Sequence, residues 1–161
     1  MRGWFSRAAT VAVLASLCFV SAASAEPKVV GVGKPLATSH RVAIQVDQND
    51  PAVMNLALNN ATNVIEYYHA KGQDVDVDIV AYGPGLHMLR ADTSPVQDRI
   101  KQLKGMAFPS KVQFSACGNT KENMEKKEGR SVAVLSDATI VPSGVVQLME
   151  KQEKGWSYVR P

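Results

Sequence analysis

Cysteine, histidine and net charge are all scarce in this chain, and each shortage removes a class of function. Its 161 residues include two cysteines and three histidines, with 18 Lys plus Arg against 15 Asp plus Glu. Two cysteines in a chain of this length do not make a disulfide scaffold of the kind that replaces a core in small exported domains. His40, His69 and His87 form no HxxxH or HExxH spacing, so no metal site is expected. A net charge of +3 is too small to argue for a nucleic-acid surface. Lys121, Lys126, Lys127 and Arg130 are interleaved with Glu122, Glu125 and Glu128, the pattern of a solvated helix with intrahelical pairs. A phosphate loop is missing too. Gly83-Pro84-Gly85 is too short and lacks the Lys-Ser/Thr pair, and Gly31-Val32-Gly33 lacks a third glycine and a following helix. Neither nucleotide nor other cofactor is therefore expected.

Long apolar runs are also absent. The longest, Ala8–Val20, follows Arg2 and Arg7 and precedes the small residues Ala23-Ser24-Ala25. That order predicts a secretory signal over 1–25, cleaved after Ala25, and hence a periplasmic protein without a membrane anchor. The run is too short for the roughly 20 residues a spanning helix needs. Cys18 follows Leu17, where lipidation requires a small residue, so it leaves with the signal and Cys117 remains as the lone thiol. Residues 26–39, with Pro27, Gly31, Gly33 and Pro35, read as a linker or arm, and 40–161 as a single domain.

What is present is a regular alternation of strand-like and helix-like pieces. Arg41–Val46 is a short β-branched run. Asp50 and Pro51 then supply an N-cap and a first-turn proline for a helix whose apolar face is Met54, Ala57, Leu58, Ala61, Val64, Ile65 and Tyr68. Gly72 closes it. Val75, Val77 and Ile79 alternate with Asp74, Asp76 and Asp78, a strand with a solvated acidic face; a calcium loop fails because Ile79 occupies the glycine position. Ser94-Pro95 predicts a second helix start with Val96, Ile100 and Leu103 buried, and Val112–Ala116 a third strand. Asn119 or Thr120 is expected to cap the charged helix. Ala138–Val141 is a short strand, and Pro142-Ser143-Gly144 leads into a helix carrying Val145, Leu148 and Met149. Gly155 ends that helix, and Trp156–Val159 is a last strand. Strands separated by helices predict an α/β fold: three α/β/α layers with a mostly parallel sheet of about five strands.

Parallel strands would bring the loops Gly83–His87, Cys117–Thr120 and Pro142–Gly144 to one rim, where open α/β sheets bind ligands. Cys117 carries the chemistry there. At a strand-to-helix junction its sulfur meets unpaired helix-start amides, which favour the thiolate. The other rim candidates are Gly85, His87, Gly118, Asn119, Thr120, Ser143 and Gly144, with His87 a candidate base beside the thiol. The competing reading is an inert, buried cysteine, a common fate for this residue. A dithiol mechanism within one chain lacks its second cysteine, and a thiol peroxidase or redox sensor would need a partner chain for the same reason.

Four stretches in order are similar to the DsrE-like family, in its exported branch. They are Leu58-Asn59-Asn60-Ala61-Thr62-Asn63; Gly83-Pro84-Gly85; Phe114-Ser115-Ala116-Cys117-Gly118-Asn119-Thr120; and Val141-Pro142-Ser143-Gly144-Val145 with Gly155-Trp156-Ser157-Tyr158. The resemblance spans roughly His40 to Pro161. It implies a three-layer domain that assembles into homo-oligomers, trimers or hexamers. It also implies a rim cysteine that carries sulfur as a persulfide between a donor and an acceptor protein, a role Cys117 would inherit. The alternative is a non-catalytic oligomeric binding or scaffolding module.

Overall fold

In the computed structural model residues 40–161 are described; the expected signal segment 1–25 and arm 26–39 lie outside the described residues. Strand β1 (His40–Val46) leads into α1 (Pro51–His69), then β2 (Val75–Ala81) and a short 3-10 helix (Gly83–Leu89). After these come α2 (Gln97–Met106), β3 (Lys111–Cys117), α3 (Gly118–Glu128), β4 (Ala138–Val141), α4 (Gly144–Glu153) and β5 (Ser157–Val159). The Asp50 side chain accepts from the Ala52 amide at 2.8 Å, as expected of an N-cap. At the other end Gly72 has φ +65°. The Gln73 amide reaches back to the Tyr68 carbonyl and the Gly72 amide to that of His69, a glycine-closed C-terminus. Gly155, φ +80°, closes α4 with the same pair of bonds.

The five strands form one wholly parallel sheet in the order β4-β3-β2-β1-β5. That order decides which face each helix covers. The connections β1 to β2, β2 to β3 and β3 to β4 step the same way, so right-handed crossovers put α1, the 3-10 helix, α2 and α3 on one face. The connection from β4 to β5 returns across the whole sheet and lays α4 on the other. The two faces differ accordingly. Val42, Ile44, Val46, Val77, Ile79, Ala81, Phe114 and Ala116 point at the multi-helix side and form the main core with Met54, Leu58, Ile65, Ile100 and Leu103. On the α4 side the apolar cluster is only Ala43, Val80 and Leu148, flanked by Tyr82 and Trp156.

Several expectations change. Asp78 is wholly buried, not part of a solvated face, because its strand is central and helices cover both sides. Asp74, before the strand, is exposed. Ser94 and Pro95 open a turn and not the helix itself. The Ser94 hydroxyl donates to the Met88 carbonyl, Val96 is non-helical, and α2 starts at Gln97. Of the expected α4 stripe only Leu148 is buried, while Val145 and Met149 are exposed. The charged helix α3 also does more than pair with itself. Glu128 binds the buried Arg90, and Glu125 accepts from the Val132 amide. No helix among the described residues is long and apolar enough to cross a membrane.

Candidate functional site

Neighbouring strands β3 and β4 send their chains to opposite faces, β3 into α3 and β4 into α4. The crevice outside their carboxyl ends is therefore the switch point of the sheet, where open α/β folds place their ligands. Cys117 is the last residue of β3 and is registered against Val141, the last of β4. The Asn119 amide donates across this crevice to the Pro142 carbonyl at 3.2 Å.

Cys117 is itself the N-cap of α3, replacing the expected Asn119 or Thr120. Its backbone is extended, and its Sγ accepts from the Thr120 amide three residues on, at 3.4 Å, as a capping side chain does. The Thr120 hydroxyl and the amides of Gly144 and Asn119 also face the sulfur. Burial, which leaves the residue 4% exposed, pushes the thiol up. The donors from Thr120, Gly144 and Asn119 outweigh it and hold the thiol below its ordinary value. Gly144 is the first residue of α4, so two helix N-termini converge on one sulfur, each adding partial positive charge.

Each remaining rim candidate has a definite place. Thr120 links two loops: its Oγ1 accepts from the Gly83 amide at 2.9 Å, which leaves its proton free for the thiolate. Gly118 and Gly144 are required by close approach. A Cβ on Gly118 would lie 3.1 Å from the Val141 carbonyl oxygen, and one on Gly144 would lie 2.8 Å from Tyr82 Cβ. Gly85 lies against the end of β1 for the same reason. Ser143 caps α4, accepting from the Val146 amide at 3.5 Å. His87 is not brought to the thiol. Its Nδ1 pairs with Thr93 Oγ1 at 2.9 Å, and it lines a groove with Asn49, Pro84, Met124, Lys127 and Glu128. Among the described residues no cluster of His, Cys, Asp and Glu is placed to hold a metal ion.

Two neighbours escaped the sequence reading. Tyr82 follows β2 at the level of Cys117 and walls the site through Gly144; burial, then Asp47, raises its phenol. Asp78 lies deeper on the same face of the sheet, hydrogen-bonded to Ser115 two residues before Cys117. The signal that finds Asp78 is its place in the middle of the central strand, where a polar side chain has no route to water.

The arrangement suits thiolate chemistry: a nucleophile stabilised by fixed dipoles, without a side-chain base. Thr120→Val, which keeps the shape and deletes the hydroxyl, is expected to move the midpoint of Cys117 alkylation to higher pH. At pH 7 the rate should fall about threefold to tenfold, with Thr120→Ser close to the parent. An unmoved midpoint in Thr120→Val would remove the hydroxyl from the account.

Fold and site together define a doubly wound α/β domain with a helix-capped thiol at its switch point. The chain belongs to the DsrE/DsrF-like family, whose sequence model matches residues 40–161. It is similar in structure to a protein of unknown function from Methanobacterium thermoautotrophicum. That likeness has 30% identity and a TM-score of 0.62, and it covers 76% of this chain and 100% of the other. No curated protein matches it.

Proposed function

We propose that this protein is an exported carrier of sulfane sulfur, which it holds as a persulfide on Cys117. The observation that carries the reading is the single thiol among the described residues, held at two helix N-termini with its charged form favoured. The Cys117 thiolate attacks the outer sulfur of a polysulfide or of a donor protein's persulfide. One S–S bond breaks as another forms, and the donor leaves as a thiolate with the electron pair, so no oxidant is needed. An acceptor thiolate then attacks the outer sulfur of the Cys117 persulfide and regenerates the Cys117 thiolate. The amides and hydroxyl that stabilise the resting thiolate stabilise it again as leaving group.

We further propose a homo-oligomer, a trimer or hexamer. Val145, Val146 and Met149 are exposed beside one another on the outer face of α4, the kind of apolar patch that marks association. The competing reading, a binding or scaffolding module with an inert cysteine, draws on the burial of Cys117. Intact mass after brief polysulfide treatment separates them. The native protein is expected to gain the mass of sulfur at Cys117, and uptake should persist below the ordinary thiol pKa of about 8.5. It should then fall as pH drops through the lowered value. A native protein that takes no sulfur while its denatured form does would leave the inert reading standing.

A further inference from the structure

The Gly144 amide belongs to a helix with a thin apolar seat. Of the residues of α4, Leu148 alone reaches the cluster of Ala43 and Val80, and Val145, Val146 and Met149 point to solvent. A polar tie takes the place of the missing contacts. Asp78 Oδ2 accepts from Gln147 Nε2 at 2.9 Å and pairs with Lys151 Nζ at 3.1 Å, while Oδ1 accepts from the Ser115 hydroxyl at 2.7 Å. Gln113 completes the set by donating to Ser115 Oγ at 2.9 Å. Lys151 is further held over the Trp156 ring at 3.8 Å. Gln147 and Lys151 are four residues apart on one face of α4, and Gln147 is about one turn from Gly144. A buried carboxylate with these partners holds α4 both laterally and in rotation, and a helix is stiff enough to pass that placement to its first residue.

We propose that Asp78 is a positioning residue for the thiol: through Gln147 and Lys151 it seats α4 so that the Gly144 amide faces Cys117 Sγ. This rests on reading Cys117 as a reactive thiolate. Asp78 touches no substrate. It acts through α4, and hydrogen bonds from amides weaken steeply when their geometry opens.

Asp78→Asn tests it. The amide keeps the size and can still accept from Ser115, but its NH2 then faces the Lys151 ammonium, which has no acceptor to offer. The buried ion pair that seats α4 is lost even if Gln147 turns its amide over. The Cys117 thiolate, followed by ultraviolet absorbance against pH, is expected to titrate at higher pH than in the parent. The alkylation rate at pH 7 should fall about threefold to tenfold. Gln147→Leu removes the tie nearest Gly144 while leaving the Asp78–Lys151 pair, and it is expected to move the midpoint the same way if Asp78→Asn does not fold. Leu103→Ala, a core truncation on the opposite face, is expected to lower stability and leave the midpoint in place. An unmoved midpoint in folded Asp78→Asn or Gln147→Leu overturns the proposal, and so does an equal shift in Leu103→Ala. A parent thiolate that titrates low yet takes no sulfur would sink the carrier reading and leave Asp78 its role. A parent thiol with an ordinary titration would sink both.

Discussion

Gly85→Ala is expected to lower the midpoint of thermal unfolding by roughly 10–15 °C, for a loss of about 3 kcal/mol. A Cβ at this position would lie 2.2 Å from the Val46 carbonyl oxygen, 2.5 Å from its carbon and 2.8 Å from the Asp47 nitrogen. All three are backbone atoms at the end of β1, so no rotamer relieves the contact. Either β1 or the 3-10 helix must shift. Both are fixed, because the Tyr82 amide donates to the Val46 carbonyl at 3.1 Å and the Gly85 amide to that of Tyr82 at 3.0 Å. A shift of the loop would also draw the Gly83 amide from Thr120, coupling the stability loss to the thiol. A reversible melt within a degree or two of the parent would show that the loop yields freely and that close packing does not explain this glycine.

Arg90→Met is expected to cost about 2–3 kcal/mol at neutral pH, toward the lower end for a broken buried ion pair. The Arg90 side chain is 1% exposed, buried beneath α3. Its guanidinium is bidentate on Asp92, with Nε to Oδ1 at 2.9 Å and Nη2 to Oδ2 at 2.8 Å, and it also binds both oxygens of Glu128. The discount has a cause. Asp92 and Glu128 are 34% and 29% exposed, so water and the neighbouring Arg130 take up part of what Arg90 leaves. The hydrogen bond from Arg90 holds the Asp92 carboxyl far below the carboxylate range, and that from Arg90 holds Glu128 below it. Groups depressed in the folded state add stability above their unfolded pKa values near 4 and lose it as pH falls through the folded ones. Urea unfolding of parent and variant should therefore differ most near neutrality and draw together in acid. A gap that stayed constant with pH would point to lost packing alone.

How much of this was legible depended on how local each cause is. The Asp50–Pro51 helix start, the glycine-closed helix ends and the apolar stripe of α1 are decided within a few residues, and the structure reproduces them. The alternation of strands and helices likewise implied the parallel sheet, and with it the three loops on one rim. Readings that depended on a distant neighbour went astray. Asp78 looked solvated because valine and isoleucine alternate around it, yet the return of α4 across the sheet encloses it. The cap of α3 looked like Asn119 or Thr120, whose side-chain oxygens are the usual acceptors, but the helix starts earlier, at Gly118, and the Cys117 sulfur takes the position. For His87 the sequence left open a base beside Cys117 or a surface histidine following a turn, and in the structure its ring pairs with Thr93 on the 3-10 helix side.

The scarcities on which the sequence opens still bear on the function. Two cysteines, one of them in the expected signal, leave Cys117 as the residue on which the chemistry turns, and that count needed no coordinates. By itself the sequence determined the layered α/β class and placed a thiol at a strand-to-helix junction, because periodicity, caps and turn residues act over a few positions. Only the tertiary structure decided what surrounds that thiol: the Gly144 amide from a helix 27 residues on, the Thr120 hydroxyl tied to Gly83, and the Asp78 anchor beneath α4. Those partners are remote in sequence. Strand order and crossover hand bring them to one sulfur, and neither is written in any single stretch of the chain.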